Sequence, residues 1–281
     1  MQKKPTGILY IVATPIGNLA DITLRALEIL KSVDLIAAED TRHSKILLQH
    51  YAISTKMIAL HDYNESDKSL KLLEFLLNGK NIALISDAGT PLISDPGYHL
   101  INTIKPHAAV MPIPGPCALI AALSASGLPT NQFIFAGFPP IKTHEREGFL
   151  QSFINETRTV VLYEAPHRIL DLITAMQKNL GENRFIVLAK ELTKTFETIS
   201  CGTINAIQKW LTENIKKQKG EFVVLIKGVE EPIAISDVEI YRILKILLTK
   251  LSTKDASALA AKITGKSKHE IYQKAVNLPK I

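Results

Sequence analysis

Five short stretches in the first half of the chain gather carboxylates, hydroxyls and turn-forming residues. They are "TPIGNLAD" (14–21), "EDTRHS" (39–44), "HDYNES" (61–66), "SDAGTPLISDPG" (86–97) and "PGPCA" (114–118). Asp21, Glu39, Asp40, His61, Asp62 and Asp87 are among their side chains suited to proton transfer or to holding positive charge. The glycines permit close approach of backbone to a ligand and the prolines keep the loops stiff. No Gly-rich dinucleotide fingerprint follows the first strand, and no phosphate-binding G-x-x-x-x-G-K-[ST] appears. No His/Cys set has metal-ligand spacing, and no nucleophile elbow is present. The loops therefore suit a neutral or cationic small ligand better than a polyphosphate.

Each stretch follows an apolar run of strand length, at Ile8–Ala13, Leu35–Ala38, Met57–Leu60, Ile82–Ile85 and Ala108–Ile113. Helix-period runs alternate with them, at Ile22–Leu30, Thr41–His50, Leu70–Leu77 and Tyr98–Ile104. Asp21, Asp40 and the Asp95-Pro96 pair read as helix starts. Strand–helix alternation predicts an α/β fold, a mostly parallel sheet with helices on both faces. Ligands of such sheets sit outside the carboxyl ends of the strands, where these five loops gather.

A second α/β unit follows, with strands expected at Phe133–Ala136, 159–163, Phe185–Ala189, Glu197–Cys201 and 221–228. Helices are expected at 116–127, Thr143–Ile154, Pro166–Asn179 and Thr203–Ile215. Several of its strands lie closer in sequence than one helix apart, which predicts a mixed sheet. Residues 229–234 read as a linker, and the chain is all-helical after it, at Asp237–Thr249, Lys254–Ile263 and Lys268–Val276. The "TGKS" break between the last two fits a helix-turn-helix outline. The expected domains are 1–115, 116–230 and 231–281.

The chain has 281 residues and a net charge of +6. Residues 233–281 carry nine Lys/Arg and four Asp/Glu, so most of the excess sits in the last sixth of the chain. A basic segment on a nearly neutral body is an electrostatic handle for a polyanion. The two cysteines, Cys117 and Cys201, read as reduced thiols of a cytoplasmic protein. No run approaches the ~18 apolar residues of a membrane span. The apolar run near the N-terminus is short and broken by Pro15 and Gly17, so it reads as a buried strand rather than a signal segment.

"ATPIGNLADITLRAL", "LISDAGTPLISDPG", "PIPGPCALIAAL" and "GFPP" resemble, in order and spacing, the tetrapyrrole-methylase-like (class III) S-adenosylmethionine methyltransferases, over about residues 7–228. "AAEDTRHS", "YEAPHRI" and "AKELTKTFE" resemble the branch of that family that methylates a cytidine 2′-hydroxyl in the decoding centre of 16S rRNA. The resemblance implies two α/β domains with S-adenosylmethionine between them, a homodimer, and 16S rRNA within the small ribosomal subunit as partner. Two positions depart from it. Gly89-Thr90-Pro91 stands where tetrapyrrole methylases carry Gly-Asp-Pro, which weakens a porphyrinoid substrate, and Tyr63 stands where the rRNA branch carries histidine.

On this resemblance the loop from Asp87 to Gly97 cradles the cofactor through Gly89, Thr90 and Ile93. Pro15, Cys117, Ala118, Tyr163, Glu164 and Ala189 add contacts. Methyl transfer to a hydroxyl is an in-line displacement helped by a base or by a group that stabilises the alkoxide. The convergent loops offer Asp21, Glu39, Asp40, His61, Asp62, Asp87, Glu164, Lys190 and Glu191, and the sequence does not choose among them. Asp87 reads first as holding the loop or the cofactor. Arg42, Arg168 and Lys194 are expected to meet RNA, an ion pair with a nearby carboxylate being the alternative for both arginines. Lys254, Lys262, Lys266, Lys268 and Lys274 are the expected phosphate contacts of the tail. A small-molecule methyltransferase and a nonenzymatic nucleic-acid-binding regulator are the rival readings; the basic tail argues against the first and the elaborate loops against the second.

Overall fold

The computed structural model describes residues 5–231 and 237–278. Residues up to Glu230 form one compact unit and those from Glu231 onward another. Part of the expected linker, 232–234, lies outside the described residues.

The first sheet comprises β1 (Ile8–Val12), β2 (Leu35–Ala38), β3 (Met57–Ala59), β4 (Ile82–Ile85) and β5 (Ala109–Ile113), all parallel, in the order β3-β2-β4-β1-β5. Every residue of β2 and β4 is buried, as a sheet covered on both faces requires. Alternate side chains supply two cores. Ile36, Ala38, Ala83 and Ile85 pack with Ala26, Leu30, Leu47 and Leu48, from α1 (Leu24–Ser32) and α2 (Thr41–His50). Leu35, Ala37, Ile82 and Leu84 pack with Leu72, Leu76, Leu100 and Ile104, from α3 (Glu65–Leu77) and α4 (Tyr98–Ile104). Four parallel pairings thus bring the polar loops to one edge.

The second sheet is mixed, as the close strand spacing predicts. It holds β6 (Phe133–Gly137), β7 (Thr159–Glu164), β8 (Phe185–Lys190), β9 (Thr198–Thr203) and β10 (Phe222–Ile226), in the order β6-β7-β10-β8-β9. Only β6 and β7 pair in parallel. One face packs on α6 (Thr143–Gln151), α7 (Ile169–Leu180) and α8 (Ile204–Glu213). The other packs on α5 (Ala118–Ala125) and also on Ile16, from the loop after β1.

The C-terminal unit is three helices, α9 (Asp237–Leu248), α10 (Thr253–Thr264) and α11 (Lys268–Val276), around Ile240, Leu244, Ala260, Ile271 and Ala275. Ser252 and Ser267 cap α10 and α11 by accepting from the N–H groups of Asp255 and Glu270. Gly265 ends α10 in the left-handed conformation, φ +68°. No helix among the described residues is long and apolar enough to cross a membrane.

Around the first sheet, two helix starts and one cap differ from expectation. Thr23, not Asp21, caps α1 by accepting from the Ala26 N–H, and Asp21 ends a 3₁₀ turn instead. The helix expected from Leu70 begins at Glu65; its first turn is polar, so apolar periodicity misses it. Asp95 does not cap α4. The cap position is Gly97, φ +132°, because Leu92 and Ser94 both take left-handed backbone and carry the chain round before the helix starts.

Candidate active site

The loop after β4 is tied down at both ends. Gly89 forms a two-way backbone bridge with Thr14, at 2.9 and 3.0 Å. The Thr90 hydroxyl donates to the Pro116 carbonyl at 3.0 Å. Positive φ at Gly89, Leu92, Ser94 and Gly97 coils the segment between. Left-handed backbone at Leu92 and Ser94 costs on the order of 1 kcal/mol each and persists only where surroundings over-determine it. A Cβ on Gly89 would stand 3.3 Å from Ile16 and would narrow the space between the loop and the β1 segment.

That coil forms one wall of a cavity of about 360 Å³, a nucleoside-sized pocket. Gly89, Thr90, Ile93, Cys117, Ala118, Tyr163, Glu164 and Ala189 all line it, eight of the ten expected cofactor contacts. Pro15 and Asp87 line a second, adjoining cavity instead. Ser94, Asp95, Phe138, Glu221 and Val223 also line the first cavity. Phe138 stands in "GFPP" but is not singled out there, and the motifs pass over Val223, for which the only sequence signal is the start of a strand. The Tyr163 hydroxyl accepts from the Leu119 N–H at 3.0 Å at the start of α5, and burial pushes its pKa up.

Charge at this edge is mostly negative. Burial raises the Glu39 carboxyl above its ordinary range, and Asp87 and Asp62 add to this. Burial pushes Asp95 up to about 6 against a hydrogen bond from Ser86, with Glu39, Asp87 and Asp62 contributing. Burial likewise raises Glu164, whose Oε1 accepts from the Ala165 N–H at 2.8 Å. Its buried Oε2 has no hydrogen-bond partner among the described residues. An apolar-walled cavity with an unspent carboxylate oxygen on Glu164 fits a cationic nucleoside such as S-adenosylmethionine, and Gly89 supplies the close backbone approach.

The Asp95 shift sets a stability prediction. Between about pH 4 and 6 the unfolded chain ionises here while the folded one keeps its proton, so stability falls as pH rises through that window. With allowance for partial solvent access, the cost above pH 6 is about 1 kcal/mol. Asp95→Asn is expected to raise Tm by about 2–4 °C near neutral pH and to leave it unchanged near pH 4. Thermal melts across that range check it.

The expected catalytic candidates separate. Asp87 accepts from the Asp40 N–H at 3.0 Å, and its own N–H donates to Glu39 at 3.3 Å, so the loops after β2 and β4 are stitched together. Asp40 caps α2, and the Arg42 side chain and backbone N–H hold its carboxyl far below the usual range. His61 is bonded to Asn64. Lys190 donates to the Lys216 carbonyl at 3.0 Å. Burial works to raise Glu191, but the Glu221 N–H and Lys194 outweigh it and lower its pKa. Asp40, Lys190 and Glu191 are thus engaged in structure and line neither cavity.

Both arginines take the ion-pair alternative. Arg42 forks onto Asp40 at 2.7 and 3.1 Å, on the surface. Arg168 is turned inward, 3.4 Å from Glu164, and donates to the carbonyls of Pro139 and Pro140 at 2.6 and 3.2 Å. With 16 % of its side chain exposed it braces the "GFPP" turn. Lys194 bridges Glu191 and Glu221 at the second cavity. In the C-terminal unit Lys254, Lys262 and Lys268 are exposed and Lys266 is partly so, whereas Lys274 pairs with Asp237 at 2.7 Å.

Gly17 shows how closely the loop after β1 meets the one after β8. A Cβ there would lie 2.5 Å from Lys194 Cγ, 2.9 Å from Thr193 Oγ1 and 3.1 Å from the Leu192 carbonyl. Gly17→Ala is expected to force the two loops apart by a few tenths of an ångström and to lower kcat/KM by roughly 10- to 100-fold. Steady-state kinetics beside a thermal melt check that the loss exceeds any fall in stability.

Comparison with known proteins places these features. Residues 8–208 match the family described as Tetrapyrrole (Corrin/Porphyrin) Methylases, and residues 234–279 match an RsmI C-terminal HTH domain. The chain is 50% identical over 273 residues to the Ribosomal RNA small subunit methyltransferase I of Haemophilus influenzae, covering 95% of this chain and 96% of the relative. It is 48% identical over 273 residues to the protein of that name from Pseudomonas aeruginosa, covering 96% and 97%. Solved structures share the fold at low identity. Diphthine synthase gives a TM-score of 0.60 at 13% identity, over 79% of this chain and 90% of that one. The uroporphyrin-III-C-methyltransferase of Thermus thermophilus gives 0.56 at 16%, over 79% and 94%. The chain therefore belongs to the tetrapyrrole methylase family, in the group that holds the relatives called ribosomal RNA small subunit methyltransferase I.

Proposed function

We propose that the protein transfers the methyl group of S-adenosylmethionine to the ribose 2′-hydroxyl of a cytidine in 16S rRNA of the small ribosomal subunit. The observation that carries this reading is the pair of adjoining cavities at the sheet edge. One is apolar-walled and edged with carboxylates; the other holds Asp87 and Lys194. S-adenosylmethionine supplies an electrophilic methyl on a sulfonium centre. Gly89, Thr90, Ile93, Ala118 and Ala189 hold it, and Asp95 and Glu164 offer its positive charge an acceptor. Asp87, in the second cavity, takes the proton from the attacking hydroxyl, and Lys194 steadies negative charge on that oxygen. Glu39, bonded to the Asp87 N–H, keeps Asp87 in place. Alignment of hydroxyl and methyl supplies much of the rate.

The exposed lysines of α10 and α11 meet RNA phosphates in this reading. Two copies act together, an arrangement supported by exposed apolar side chains such as Ile120, Phe138 and Ile141 on the first unit. The site of action is the cytoplasm, where small subunits assemble.

Labelled methyl transfer to small subunits from a strain lacking the protein tests the proposal, with free 16S rRNA and a porphyrinoid alongside. Alkali-resistant label at one cytidine is the expected result. Label on the porphyrinoid alone, or none on RNA despite cofactor binding, overturns it.

A further inference from the structure

The second cavity, also about 360 Å³, shares Ile16, Ala88 and Glu221 with the first as lining residues. Its walls are of two kinds. Pro15, Leu19 and Ile46 are apolar, and Ile46 is 61 % exposed. Ser44, also from α2, is 4 % exposed, and its hydroxyl has no hydrogen-bond partner among the described residues. Other helical hydroxyls do not behave this way. Ser69, Thr103, Thr174, Ser257 and Thr264 each donate to the carbonyl four residues back. Ser44 has the same option at Asp40 and leaves it unused. A buried hydroxyl left unsatisfied beside a cavity calls for an outside partner.

Enzymes that draw a nucleotide out of its stack replace stacking with apolar walls and read the base edge by hydrogen bonds. We infer that the second cavity receives the unstacked target nucleobase, with Leu19 and Ile46 against its faces and the Ser44 hydroxyl on its edge. This rests on the proposed RNA methylation and deepens it, by making α2 the element that selects the base.

The test uses the full-length protein and small subunits lacking the methyl group, carrying either cytidine or uridine at the target position. The wild type is expected to prefer cytidine. Ser44→Ala is expected to shrink that preference by roughly 10-fold. Ile46→Ala is expected to raise KM for the particle several-fold, with S-adenosylmethionine affinity unchanged in both variants. Photo-crosslinking from 5-iodocytidine at the target is expected to fall within residues 14–19 or 41–50. An unchanged cytidine-to-uridine ratio in Ser44→Ala, or crosslinks elsewhere, overturns the inference while the methyltransferase reading stands. Absence of transfer to any particle by the wild type overturns both.

Discussion

Asp87→Asn is expected to lower kcat by two to four orders of magnitude, the usual range for loss of a positioned general base, while S-adenosylmethionine affinity and Tm stay close to wild type. The substitution isolates charge from architecture. Asp87 Oδ1 accepts from the Asp40 N–H, and asparagine keeps an oxygen there. The backbone N–H that donates to Glu39 is untouched. The stitch between the loops after β2 and β4 therefore survives, and the negative charge goes. A second readout reports the loss of the charge itself. Asp87 is one of the charges that raise Glu39 and Asp95. Without it both carboxyls ionise at lower pH, so the acid limb of the residual activity moves to lower pH. Single-turnover rates from about pH 5 to 9 measure both effects. A loss of less than about fivefold would remove Asp87 from the chemistry and leave it as a loop fastener.

Much of this edge is legible in the sequence because its elements are local. Asp40 announces α2 because a capping carboxylate lies directly before a helix-period run. The parallel sheet follows from strand–helix alternation, and the mixed sheet from strands too close for crossovers. What stays hidden depends on contacts between distant segments. Asp95 reads as a cap because Asp-Pro is a common helix start. Only the left-handed turns at Leu92 and Ser94 and the burial around Ser86 make it a raised carboxyl on a cavity wall. Arg168 reads as an RNA contact because nothing near it in sequence names the carbonyls of Pro139 and Pro140. The second cavity needs the loop after β1 set against the loop after β8. That closure is made by the Asn18 N–H donating to the Thr193 hydroxyl at 3.1 Å, across 175 residues.

Removal of residues 231–281 is expected to lower kcat/KM for the small subunit by at least about 100-fold at physiological salt, and to leave S-adenosylmethionine affinity unaltered. Both cavities are lined by residues of the first unit alone, and that unit is compact without the tail. The tail holds most of the net positive charge, with Lys254, Lys262 and Lys268 exposed. Each lysine that neutralises a phosphate adds to the salt slope of binding. For three to four contacts, affinity falls by roughly 20- to 50-fold between 50 and 200 mM salt. The truncated chain loses both the affinity and the slope, and its residual rate is nearly salt-independent. A triple change of Lys254, Lys262 and Lys268 to alanine reproduces the flattened slope without removing the helices, whose core is Ile240, Leu244, Ala260, Ile271 and Ala275. Lys274→Ala serves as the contrast: paired with Asp237, it carries little of the slope, so its loss leaves the salt dependence in place. Equal slopes for the wild type and the triple variant would move the RNA contact off this unit and onto the sheet edge itself.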